Sequence, residues 1–299
     1  MCRWRSARVL IVGLLAATSL SAQAPSAFDS SKAWEHLRQQ VAIGPRPSGS
    51  PGNVKNRDYI KTTLAGFGIK TVEQPFEATT PIGRIKMVNL VATIPGQRPD
   101  RIVLASHFDT KIFHEFRFVG ASDGASSTAA LLELGRVLKA RPQLPFSIEL
   151  LFLDGEEATG EWQGTDNTYG SRHYVAAASK AGTLKSLRAL ILLDMIGDRQ
   201  LNMRREQNST PWLTDIIWST AKKLGHGAQF LDERTPIEDD HIPFLKAGVP
   251  AVDLIDLDYP AWHTADDTLN SVAARSLQIV GDVVVAALPE IEQRLLKGV

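Results

Sequence analysis

Glu156 and Glu157 stand side by side where an apolar run, Ile148 to Leu153, gives way to Asp154-Gly155. A strand this apolar is expected to be covered on both faces, as in a parallel sheet under helices. Two carboxylates emerging from it at low dielectric repel unless a cation binds or one of them takes a proton. A metal held by one glutamate, with its neighbour moving protons, meets both conditions. The same four residues also make an ordinary solvated turn, so the reading rests on what falls at the other strand ends. There the chain places His107 and Asp109, Asp123, Asp194 and His263, each following an apolar run or opening the next loop. Singly, His107 reads as a core histidine, Asp194 as a helix cap and Asp123 as the N-cap of the helix after it. Together they read as a metal site. Two histidines and several carboxylates without cysteine suit zinc, which in catalytic sites takes three protein ligands and keeps one position open.

The elements that position these residues alternate. Helices are predicted over 33–42, 53–67, 125–140, 171–181 and 211–224, with one or two more over 271–296. Apolar or β-rich runs over 88–94, 101–106, 147–153, 187–193 and 249–255 read as strands. The loop Gly44 to Gly52 is dense in breakers. This order predicts an α/β fold with a mainly parallel central sheet and helices on both faces. In such sheets ligands bind beyond the carboxyl ends of the strands, where the polar residues fall here.

Composition narrows the function classes. Lys and Arg number 33, as do Asp and Glu, so net charge is zero, and no basic block offers a footprint for nucleic acid or an anionic membrane. Arg3, Arg5 and Arg8, the apolar segment Val9 to Leu20 and the site Ala22-Gln23-Ala24 read as a secretory signal over residues 1–24. No apolar run reaches the roughly 20 residues needed to span a bilayer. A linker over 25–32 and a single catalytic domain over 33–299 are expected to follow. The only cysteine, Cys2, lies in the leader, so the exported chain, periplasmic or secreted, is expected without disulfides or thiol ligands.

His107-x-Asp109, Ser122-Asp123-Gly124-Ala125, Asp154-Gly155-Glu156-Glu157, Asp194 and Trp262-His263-Thr264-x-x-Asp267 resemble the motifs of the zinc-dependent aminopeptidase superfamily. Trp162 with Asp166-x-x-Tyr169-Gly170-Ser171-Arg172-His173, the run Glu238 to Phe244, and Val119 to Asp123 resemble its glutaminyl-peptide cyclotransferase branch. Asp253 in place of the animal-type histidine, a shorter loop from Ile255 to His263 and the signal segment favour the bacterial form of that branch. The resemblance covers residues 33–299 and implies a zinc aminopeptidase-like fold. It implies one zinc per chain on Asp123, Glu157 and His263, with Glu156 as general acid/base. Asp194 and Asp239 would form a hydrogen-bonded pair lining the pocket. Trp162 and Trp262 would supply its walls. His107 and Asp109 match second-metal ligands of the aminopeptidases. Asp253 stands where the animal cyclases carry a histidine beside the pocket, and is expected at the substrate.

The activity so implied is cyclisation of the N-terminal glutamine of peptides or proteins to pyroglutamate, with release of ammonia, by a single domain acting as a monomer. The rival is a zinc aminopeptidase using one or two zinc ions and water as nucleophile. A non-catalytic ectodomain on the same fold is disfavoured because Asp123, Glu156, Glu157 and His263 are all present.

Overall fold

The computed structural model describes Met1 and residues 27–298. Apart from Met1, the expected signal segment lies outside the described residues, with Cys2 and the first part of the linker. Among the described residues there are eight strands: β1 (Thr71–Thr80), β2 (Gly83–Ile94), β3 (Arg98–His107), β4 (Phe146–Leu153), β5 (Leu187–Asp194), β6 (Met203–Glu206), β7 (Phe230–Thr235) and β8 (Ala251–Ile255). Six form the central sheet in the order β1-β2-β4-β3-β5-β8, and β6 pairs with β7 in a small second sheet. β4, β3, β5 and β8 run parallel. β1 and β2 are antiparallel to each other, and β2 is antiparallel to β4. The sheet is therefore mostly but not purely parallel. The hairpin at one edge escapes a reading of apolar runs because β1 is polar, contains Pro75 and leaves much of its length half-buried or exposed.

Each parallel strand feeds two cores. Ile102, Leu104, Ile148, Leu150, Ala189 and Ile191 pack into the larger one, on the side of α1 (Ser30–Ile43), α2 (Pro51–Gly66), α3 (Ala125–Lys139), α5 (Pro211–Lys223) and α7 (Ala274–Leu296). The alternate residues Val103, Ala105, Leu151, Leu153, Leu190 and Leu192 pack on the other face, under α4 (Tyr169–Lys180) and α6 (His241–Lys246). Side chains alternate along a strand, so burying both faces requires an unbroken apolar run. Truncating one such leucine to alanine costs about 2–5 kcal/mol.

Boundaries shift where caps override periodicity. Asp29 accepts from the Ser31 amide, so α1 begins at Ser30 rather than 33. The closing segment is a single helix that runs through Pro289. No helix of the described residues is long and apolar enough to cross a membrane.

One close approach ties the second face to the end of β4. A Cβ on Gly170, in the first turn of α4, would lie 2.5 Å from the Asp154 carbonyl oxygen and 2.6 Å from Asn89 Oδ1. Asn89 bridges the same two segments, donating to the Gly170 carbonyl at 2.9 Å and accepting from the Asp154 amide at 3.1 Å. Gly170→Ala should therefore destabilise the fold by about 1–3 kcal/mol, read as a lower denaturant midpoint. An unchanged midpoint would contradict this packing.

Candidate active site

Gly155, at φ +78°, turns the chain sharply after β4. The turn presents the amides of Glu156 and Glu157 to Asp109, whose two carboxylate oxygens accept them at 3.2 and 3.4 Å. Asp109 thus clamps the backbone of the glutamate pair. From this fixed backbone the two side chains diverge. Glu157 Oε1 lies 3.5 Å from His263 Nε2, which is 3.3 Å from Asp123 Oδ2. One ligand atom from each of Asp123, Glu157 and His263 falls within 4.8 Å of the others. Glu156 turns instead toward His107, with its Oε2 3.7 Å from Nδ1.

The loops carrying Asp123 and His263 hold each other. The Asp267 carboxylate accepts the amides of Ser122 at 2.7 Å and Asp123 at 3.2 Å, and the Tyr259 hydroxyl at 2.7 Å. His263 sits at φ +53°, an uncommon conformation for a residue with a side chain. Its ring stacks on Trp262 and meets the edges of Phe113 and Phe118. The loop entering α3 is anchored from below by the fully buried Arg46, whose guanidinium donates to the carbonyls of Phe108, Gly44, Val119 and Gly120. Sequence reasoning assigned no role to Arg46 or Asp267. A charged residue in the breaker-rich loop was the only signal for the first, and an acid four residues after His263 for the second.

The donor set suits a divalent metal. Two carboxylate oxygens and one imidazole nitrogen converge in a buried place, which is the ligand chemistry of zinc. Burial and the nearby Asp123 charge push Glu157 up to about 7. Burial alone would lower His263, but Asp123 and Glu157 outweigh it and hold the imidazole up to about 9. The carboxylates are thus electrostatically frustrated without a cation, and protons stand in for one.

Behind this set, His107 is a hub. Its Nε2 is 3.0 Å from Asp194 and 3.3 Å from Asp123, and its Nδ1 is 3.6 Å from Asp109. Burial opposes its charged form, yet Asp194 and Glu156 hold its pKa well above the ordinary value. One Asp194 oxygen meets His107 Nε2 at 3.0 Å. Asp239 does line the same pocket and is pushed up to about 7 by burial and then by Asp194. Asp253, expected at the substrate, is fully buried on β8 and is not among the residues that line this pocket, with one carboxylate oxygen 3.6 Å from His241 Nδ1. The second group of ligand type that includes His107 is completed by Asp123 and Asp194, not by Asp109.

Glu156, Glu157, Asp123, Asp194, Asp239 and His263 open into one cavity of about 440 Å³. Trp162 and Trp262 line it as expected, joined by Ile237 and Leu257. The loop bearing Trp162 is knotted by Asp166, whose carboxylate accepts from the Thr159 and Gly160 amides and from the Tyr169 hydroxyl. Burial pushes Glu156 well above the ordinary carboxyl value, reinforced by Glu157, Asp239 and Asp194, although His107 pulls the other way. A buried carboxyl that faces the cavity and is poised to hold a proton can act as a general acid or base.

Comparison with known proteins places this geometry in context. The model of Peptidase family M28 matches residues 89–288. The glutaminyl-peptide cyclotransferase-like protein of Mus musculus is 33% identical, over 90% of this chain and 77% of its own length. The crystal structure of Acidobacteriales bacterium glutaminyl cyclase superposes with a TM-score of 0.87 at 43% identity, covering 91% of this chain and 97% of that one. Porphyromonas gingivalis glutaminyl cyclase gives 0.83 at 29% identity, covering 89% of this chain and 99% of that one.

Zinc added to metal-free protein should raise its melting temperature, since about 100-fold excess over Kd adds about 2.7 kcal/mol. Binding needs a neutral His263, so a proton held up to a pKa of about 9 must leave. Zinc affinity should therefore rise between pH 7 and pH 9, with proton release visible by calorimetry in buffers of different ionisation enthalpy. An affinity flat with pH would show that no ligand proton is displaced.

Proposed function

The chain belongs to peptidase family M28 and, within it, to the glutaminyl-peptide cyclotransferases, and on that premise we propose that it converts the N-terminal glutamine of peptides or proteins to pyroglutamate and releases ammonia. The observation that supports this best is the division of labour between adjacent glutamates. Glu157 falls among the ligand atoms with Asp123 and His263, while Glu156 stays outside them, buried and facing the cavity.

In the reaction the α-amine attacks the γ-amide carbonyl carbon, the new C–N bond closes a five-membered lactam, and the amide nitrogen leaves as ammonia. Asp123, Glu157 and His263 would hold a zinc ion, which when bound supplies Lewis-acid polarisation of that carbonyl. Glu156 takes a proton from the attacking amine and returns it to the departing nitrogen, a role usually worth about 10²–10⁴-fold. Asp194 and Asp239 line the wall near Glu156 and present acceptors to the amine N–H groups. Trp162 and Trp262 confine the folded-back side chain and leave the rest of the peptide directed out of the cavity, which supplies orientation. Export of the chain, as its N-terminal segment suggests, would give it peptide substrates outside the cytoplasm.

A second reading, a zinc aminopeptidase, is favoured by one observation: His107, Asp123 and Asp194 also bring ligand atoms within 4.8 Å of one another, as a second metal would require. Products separate the two. Gln-initiated peptides should lose one ammonia and stay otherwise intact, followed by mass spectrometry and an ammonia assay. Free glutamine as the main product, with two zincs per chain, would establish the peptidase.

Two conservative variants test the glutamate roles. Glu156→Gln keeps the shape and cannot titrate, so turnover should fall by about 10² or more with zinc retained. Glu157→Gln replaces an anionic donor and should lose zinc during dialysis. Elemental analysis beside ammonia release decides, and zinc lost from the Glu156 variant alone would reverse the assignment.

A further inference from the structure

Behind Asp194 and Asp239 of the cavity wall lie further buried acids, Glu206, Asp240 and Asp253, that the proposed reaction does not use. Asp253 faces Asp194 from β5, Glu206 from β6, and Asp239 and Asp240 from the segment entering α6, with His241 on α6 beside it. Asp239, Asp240, His241 and Asp253 are each at most 3% exposed. Among the described residues no lysine or arginine pairs with any of these six groups; the Ser209 hydroxyl accepts the Asp253 amide and donates to Glu206, not to the Asp253 carboxyl. Ligand atoms of Asp239, His241 and Asp253 lie within 4.8 Å of one another.

The acids differ in how many donors reach them. Glu206 accepts the Asn208, Ser209 and Ile237 amides and contacts His241 Nε2 at 3.0 Å, and is held down to about 2. Asp194 has His107, Asp240 has the Ser171 hydroxyl, and Asp239 has the Asp240 amide on one oxygen. Asp253 has none: both its oxygens are buried without a hydrogen-bond partner, as is Asp239 Oδ2. A buried ionised carboxylate with no donor costs several kcal/mol, so the group takes a proton instead. Burial, then Asp239 and Asp194, act on Asp253 in that same direction.

We propose that Asp253 is a neutral carboxylic acid at the working pH and donates its hydroxyl to the free oxygen of Asp239, keeping Asp239 anionic at the pocket wall. Asp253 is then a positioning residue: it touches no substrate and acts by setting the charge of the residue that does. The role depends on the cyclase reading only for its kinetic consequence, since the protonation state stands by itself. A donated hydrogen bond favours the charged form of the acceptor, so it lowers the Asp239 pKa.

Infrared spectroscopy of wild type and Asp253→Asn at pH 7, with aspartate carbon-13 labelling, reads the proton directly. A carboxylic-acid carbonyl band present in wild type and absent from the variant is expected, with metal content unchanged. No difference band, or a metal ion lost on substitution, would overturn the proposal, because Asp253 would then be ionised or a cation ligand. Asp253→Asn still donates an N–H and should leave the pH profile of ammonia release in place. Asp253→Leu donates nothing, so the acid limb should move up by about one pH unit. If both variants shift alike, or if the asparagine fails to fold, an ionised aspartate is required and the proposal fails. Should the protein release no ammonia at all, the infrared result still judges the protonation state, so the two readings fail separately.

Discussion

Burying negative charge without burying positive charge to match is the constraint around which the rest of this molecule is arranged. Asp109, Asp123, Asp154, Glu156, Glu157, Asp194, Asp239, Asp240, Asp253 and Asp267 are each at most 6% exposed. Among the described residues the one guanidinium deep among these acids, Arg46, is spent on backbone carbonyls, and burial lowers its own pKa to about 10. The acids are therefore kept by other means. Backbone amides serve Asp109 and Asp267, the Val88 amide with Ser48 and Asn53 serves Asp154, an imidazole shared four ways serves the residues around His107, and burial pushes Glu157, Asp239 and Asp253 toward holding a proton. Each device has a different consequence. Amide donors fix a carboxylate as an anion and make it a structural clamp, whereas a group left to its proton can give that proton away.

The sheet explains why this concentration is tolerated and where it sits. Four parallel strands end together, and beyond their ends the backbone turns and has amides to spare. Glycines at positive φ, Gly120, Gly124 and Gly155, make those turns tight enough to bring loops from separate strands into contact. A Cβ on Gly124 would meet the Asp109 carbonyl at 2.7 Å and the His107 ring at 3.0 Å, so loop geometry and acid placement are one problem. The two cores on either face supply the rigidity that holds mutually repelling groups at fixed separations.

How much of this was legible in the sequence follows from the same physics. Asp123, Glu156, Glu157, Asp194 and His263 stand out because each ends or follows an apolar run, and burial of that run fixes where its end must lie. β1, β6 and β7 leave no such trace, being polar and partly exposed, and their pairing depends on partners distant in the chain. The clamps were illegible for a related reason. Asp109, Asp166 and Asp267 act on backbone amides, and an amide has no residue type to recognise. Asp109, an aspartate two residues after His107 that matches a ligand pattern, holds the Glu156 and Glu157 amides with its two oxygens. Asp253 is expected at the substrate from its match to the animal-type histidine, yet it is fully buried and is not among the residues that line the cavity.

That clamp also resolves what adjacency leaves ambiguous. Two neighbouring glutamates are chemically identical, and nothing in their order says which should meet a metal. Once one carboxylate holds both their amides, the local backbone is no longer free to choose, and successive side chains must leave it in different directions. One is delivered toward Asp123 and His263, the other toward His107 and the cavity. The distinct environments then do the rest. The first gains an imidazole and an acid, the chemistry of a ligand set, and the second gains burial and like charge, which favour holding a proton. Asp109, which is not among the converging ligand atoms of Asp123, Glu157 and His263, thereby sets the direction in which each glutamate leaves the backbone.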